Sequence, residues 1–331
     1  MNNFDIVSLP INVNPIIRSY RVHSYLINIM ENIYPDFEKY VISNYLCLHN
    51  GKKNIRMEYL DFHLDNNFLS IRELFRNNSW FDVVQISDCN CQDNRKQIET
   101  RDLIVEFLNK GYYVLHGVNE SCLSHTVRYG KPVSNNIAMT YGYNYKRNTF
   151  FLLDYNNKGR YGPSEVSYEE YFNSLKTVTI DNRLNFIKAK NGLVFNFDFE
   201  RSIKLLKCHV HSQNAYQNHD DYMNNVFGYE GVERSLEEMQ KTGINLVRMR
   251  VIMEHKNTVL SCLRYASDNN LIDVNIVKYY NEINKKMHTI FMKIFKKAFV
   301  CKDNVNYSDD FDDIRLLNEN EEILMKKFLQ V

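Results

Sequence analysis

Three polar residues of this chain are candidates for chemistry of the acyl-transfer kind: Ser24, Asn136 and Asp154. Such transfer needs a nucleophile, a base within hydrogen-bond reach and a group that orients the base. Asp154 ends an apolar run, Phe150-Phe151-Leu152-Leu153, and a carboxylate is a group that can orient a base. Asn136 opens the preceding apolar run, Ile137-Ala138-Met139, and its amide cannot take up a proton. Ser24 and Ser19 offer hydroxyls on an early helix, and a hydroxyl depends on a well-placed base far more than a thiol does. His116 and His125 stand nearby in the chain as substitutes for that base. Taken singly, Ser24 and His23 read as ordinary helix residues and Asn136 as a hydrogen-bonded strand-end amide. Those plainer readings are favoured.

Other constellations carry less. His209, His211 and His219, with Asp220 and Asp221, have metal-ligand types but no pattern of supporting residues, so no metal is assigned. Cys89-Asn90-Cys91 lacks a matching second pair and reads as a loop of reduced thiols. Glu254-His255-Lys256 reads as a solvated or salt-bridged helix face. There is no phosphate-binding glycine loop and no dinucleotide fingerprint, so no cofactor is expected.

The elements that must position these residues follow from periodicity. Residues 17–34 predict a helix stopped by Pro35, with Leu26, Ile29, Met30 and Ile33 on one face. Residues 40–48 predict a strand or short buried segment, 69–75 a short helix, 82–86 a strand and 87–96 a polar loop. A helix over 100–109 ends before Gly111. Strands are predicted over 112–118, 137–143 and 149–155, the last two joined as a hairpin through 144–148. Ser167 and Glu170 have capping-box spacing at the start of a short helix. Residues 178–206 are mixed. Helices then follow over 232–242, 246–267, 274–300 and 314–329. The pattern predicts an α+β domain over 1–175 and a mainly helical region over 176–331.

Composition sets the limits. Lys+Arg 41 against Asp+Glu 40 gives no charge excess to draw nucleic acid or an anionic membrane. Apolar content of 44% supports a packed core. The N-terminal residues lack a basic stretch followed by an apolar run, and no stretch approaches the ~18 apolar residues of a membrane span, so a cytoplasmic protein is expected. Seven cysteines in such a protein read mostly as reduced thiols.

Several motifs fall in a recognisable order: Gly111-Tyr-Tyr-Val114, Tyr141-Gly142-Tyr143, Leu153-Asp154-Tyr155 and Val166-Ser-Tyr-Glu-Glu170. The segment 111–172 resembles the N-terminal domain of the butirosin biosynthesis H-type family. A second block, Val247 to Asn257 continuing to Tyr265, is similar to a helix of that family's longer members. No single motif carries the resemblance; their order and spacing do. It implies a papain-like, cysteine-protease-like fold used for acyl transfer in natural-product clusters. The implied donor is an acyl or peptidyl group on the phosphopantetheine arm of a carrier protein, the acceptor is an amine, and the machinery is a Cys, a His and an Asp. Asp154 matches the Asp. Asn136 stands in the place of the His. The stretch 18–26 holds no cysteine, and the first in the chain is Cys47. The resemblance therefore implies a degenerate acyltransferase, a non-catalytic binding or accessory protein; the alternative is an active acyltransferase or hydrolase with Ser24 as nucleophile.

Overall fold

The computed structural model describes residues 5–51, 57–59, 80–87, 91, 93–179, 183–214, 225–300 and 305–330. The expected helix over 69–75, Cys89 and His219 lie outside the described residues. The chain is mixed α+β and divides into two compact units. The first comprises 1–35 and 67–194, the second 36–66 and 195–331, so the division is not a single cut at 175. Among the described residues no helix is long and apolar enough to cross a membrane.

The first unit is built on an antiparallel sheet. Its strands are β1 (Ile6–Ser8), β4 (Phe81–Ile86), β5 (Tyr113–Asn119), β6 (Asn135–Asn144), β7 (Thr149–Tyr155), β8 (Tyr161–Ser167) and β9 (Leu184–Ala189). They run in the order β4-β9-β5-β6-β7-β8, with β1 added to the end of β6. Alternation sends Val114 and Val118, Ala138, and Phe150 and Leu152 to one face. There they meet Ile104, Val105 and Leu108 of a helix over Asn94–Asn109, and Tyr171, Phe172 and Leu175 of a helix over Tyr168–Thr177. In chain order these are α3 and α4, after α1 (Arg21–Ile33) and α2 (Phe37–Asn44). α3 begins earlier than the sequence suggested, because Asp93 caps it by accepting from the Lys96 N–H. The capping box of Ser167 and Glu170 is formed at the start of α4. Gly142 follows a register shift in β6, and a side chain there would collide with the Val7 carbonyl oxygen. That glycine is what lets β1 approach.

The second unit holds α2, a small sheet of β10 (Val226–Phe227), β2 (Leu48–Asn50) and β3 (Met57–Tyr59), and five further helices. The helices are α5 (Phe199–Val210), α6 (Gly228–Thr242), α7 (Leu246–Asp268), α8 (Val274–Val300) and α9 (Ser308–Leu329). The stretch 40–48 is buried as expected, but most of it is helical: α2 runs to Asn44 and only then does β2 begin. A short continuous apolar run does not separate a buried helix from a buried strand.

The charged triplet of α7 is also buried, against the solvated-surface reading. Glu254, His255 and Lys256 are 3%, 0% and 1% exposed. Lys256 is paired with Glu321 of α9, whose other oxygen accepts from the Tyr280 hydroxyl at 2.8 Å. The His255 ring stacks on His209, 4.2 Å between centroids, and its Nε2 lies 3.0 Å from the Leu46 carbonyl oxygen. His209 Nδ1 accepts from the Leu48 N–H. His209 is thereby committed to the core, while His211, two residues on, is the exposed C-cap of α5.

A candidate active site where two strands part

β6 and β7 pair only as far as Met139 and Leu153. Beyond that point β6 remains paired to β5 and β7 to β8, so the two strands separate. The Ile137 carbonyl faces this opening and accepts from two residues of α1: the Tyr25 hydroxyl at 3.1 Å and Arg21 Nη1 at 3.4 Å. The same Arg21 Nη1 lies 3.0 Å from Asp154 Oδ1, and Arg21 Nη2 lies 2.5 Å from Glu120 Oε1. Glu120 opens a 3-10 turn, Glu120–Cys122, directly after β5. The Tyr155 ring lies 5.5 Å from the guanidinium carbon. One guanidinium therefore joins α1, β6, β7 and the turn after β5.

Asp154 is fully buried. Its Oδ1 is occupied by Arg21 and by the Tyr155 N–H at 2.6 Å. Its Oδ2 has no hydrogen-bond partner, and His125 Nε2 stands 4.0 Å away. Burial pushes the Asp154 carboxyl up to about 7, against the pull of Arg21 and the Tyr155 N–H. Burial would lower the Arg21 pKa, but Asp154 and Glu120 outweigh it, and the guanidinium is held charged. Burial lowers the His125 pKa, opposed by Glu170 and Glu120. The site thus concentrates polar atoms that the protein does not satisfy: Asp154 Oδ2, both His125 ring nitrogens, Ser24 Oγ and the Tyr161 hydroxyl. Buried atoms of this kind normally find partners, and leaving one without costs about 1–3 kcal/mol.

Ser24 lies one turn after Arg21 on the same face of α1 and is fully buried. Burial pushes the Tyr161 phenol's pKa up, opposed by the Ser24 hydroxyl. Asn136 is half-buried, and its Oδ1 accepts from the next N–H in the chain, that of Ile137, at 3.0 Å. Among the described residues no hydrogen bond joins Asn136 to Asp154 or Ser24. His116 is committed elsewhere. Its Nε2 lies 2.9 Å from both the Thr140 and Tyr171 hydroxyls and its Nδ1 3.1 Å from the Gly117 carbonyl oxygen, inside the core. Burial lowers its pKa to about 4.

The structure puts Ser24 and Asp154 on either side of Arg21, which, like Glu120 and the tyrosines, was not singled out from the sequence. One signal was available. A basic residue opening a helix opposes the macrodipole, and such a local conflict points to a partner elsewhere. Among the described residues no group of three or more His, Cys, Asp or Glu side chains could hold a metal ion, and the described cysteines are unpaired. No family model matches the chain, and no curated protein does.

Proposed function

We propose that the first unit is a papain-like site of the butirosin H-type acyltransferase kind that has lost the covalent route and serves as a binding or accessory protein for carrier-linked acyl groups. What supports this reading most is Arg21. It is the first residue of α1, the helix whose N-terminus the resemblance reserves for a thiol, and its guanidinium is bonded to the carboxylate that would orient the base. A nucleophile needs an accessible, uncommitted atom, and the side chain at this position is committed to two carboxylates. Asn136 completes the argument, since an amide accepts no proton.

Incubation with an acyl-pantetheine thioester, read by intact mass, tests the reading. No covalent adduct is expected, and a stable acyl adduct would sink it. A second reading, an acyltransferase or hydrolase with Ser24 as nucleophile, draws on one observation: the buried Ser24 hydroxyl makes no hydrogen bond. It predicts an adduct that disappears in Ser24→Ala. Acylation unchanged in that variant refutes the assignment to Ser24.

A further inference from the structure

The loop after the 3-10 turn carries the imidazole nearest to Asp154, and the fold fixes it from both sides. The Ser124 N–H donates to Glu170 Oε1 at 3.1 Å, so the capping-box glutamate of α4 also holds the residue before His125. The Thr126 hydroxyl, on the other side, donates to the Glu120 carbonyl oxygen at 2.8 Å. Between these anchors His125 points Nε2 at Asp154 Oδ2 across 4.0 Å. Neither atom has another hydrogen-bond partner, while the other Asp154 oxygen is occupied. A movement of about 1 Å turns this approach into a charge-assisted hydrogen bond, the kind of tightening that unliganded sites show when they fill.

We propose that His125 and Asp154 form one proton-holding pair, in which Asp154 Oδ2 orients Nε2–H and Nδ1 is left as the site's proton acceptor. The role closed to Asn136 is thus filled from a different loop. On arrival of a ligand O–H or N–H at Nδ1, the proton moves to Nδ1, Nε2–H stays directed at Oδ2, and the ligand atom keeps the electron pair. The charged groups around the pair are Arg21 from α1, Glu120 from the 3-10 turn and Glu170 from α4. With Arg21 set against Asp154, Glu120 and Glu170, the cluster carries two negative charges in excess when His125 is neutral. A proton held between His125 and Asp154 offsets one of them. This inference goes beyond the acyl-binding reading and does not depend on it.

The test is a titration of the full chain by NMR, with 13C in the histidine rings and in the aspartate carboxyls. Coupled titration is expected: the His125 and Asp154 signals respond to a common proton. In Asp154→Asn the proton affinity of His125 falls about tenfold or more, one pKa unit. In His125→Gln, which removes an exchangeable charge but keeps polarity, the Asp154 carboxyl titration moves instead. That second variant covers the case in which Asp154→Asn does not fold. A His125 curve unmoved by Asp154→Asn in folded protein, or an Asp154 curve unmoved by His125→Gln, overturns the pair. The readout is the proton itself, so its failure is distinct from failure of the thioester assay.

Discussion

Each unit buries a carboxylate against a single basic side chain, and the two arrangements differ in what is left over. In the second unit both oxygens of Glu321 are used, one by Lys256 and one by the Tyr280 hydroxyl. In the first unit only one oxygen of Asp154 is used, and the atoms facing the other are themselves without partners. A fully satisfied buried pair holds a core in one arrangement. A partly satisfied one adds less to stability than it removes by desolvation, so its retention calls for a ligand or a proton to complete it. The comparison sets a carboxylate with both oxygens used beside one with an oxygen left open.

The largest effect is expected where both carboxylate oxygens are used. Lys256→Met leaves Glu321 buried without its cation and should destabilise the second unit by roughly 3–5 kcal/mol in equilibrium unfolding. Adding Glu321→Leu should restore most of the loss. No recovery in the double variant would break the comparison. In the first unit, Arg21→Met should cost roughly 3 kcal/mol at pH 8 and distinctly less at pH 5–6, because Asp154 can take up a proton there. A pH-independent cost would show that Asp154 does not titrate in this range.

A smaller effect concerns pH alone, between 5 and 6.5, where ordinary carboxylates are ionised. Burial holds His209 and His255 below their ordinary value of 6.5, His255 at about 3, with charge from neighbours in the same direction. The unfolded chain therefore binds protons that the folded second unit does not, and stability falls as pH drops through this window, by up to about 1.4 kcal/mol per unit for each histidine. In the first unit His116 and His125 act in the same direction. Asp154, raised from 3.8 to about 7, acts in the opposite one: its contribution is full below about 3.8 and is lost as pH rises through about 7. Amide exchange resolved by unit should show a shallower slope in the first unit, and Asp154→Asn should steepen it. The smallest effect is Ser24→Ala. It removes a buried hydroxyl that makes no hydrogen bond and should change stability by less than about 1 kcal/mol. A larger loss would mean that Ser24 has a structural partner.

Local signals in the sequence were read reliably. Ser167 and Glu170 make their capping box, and the strands on either side of 144–148 pair as a hairpin. β8 was passed over because Gly162 and Pro163 disguise it. It lies at the end of the sheet order, and an edge strand is where a proline fits. The triplet 254–256 was misread because charge suggests solvent, and only the fold reveals Glu321 as its distant counter-ion. Asp154 was singled out as the carboxylate that ends the apolar run 150–153, inside β7. Arg21 was not, since its meaning lies in the partners that converge on it. The division into units was hidden for a related reason: residues 36–66 belong with a body whose remaining residues begin at 195.

The opening between β6 and β7 also bears on the order in which the chain assembles. Ties from the α1 region into that opening join residues far apart in sequence, among them Arg21 to Glu120 across 99 residues, Tyr25 to Ile137 across 112, Arg21 to Ile137 across 116 and the Arg18 carbonyl to Tyr155 across 137. The hairpin of β6 and β7, by contrast, closes through a few residues. Loop-closure entropy delays contacts of such high separation until the local ones have formed. The β6-β7-β8 strands therefore assemble first, and α1 docks onto them late. Substitutions at Arg21 and Tyr25 should accordingly speed unfolding while leaving the refolding rate almost unchanged.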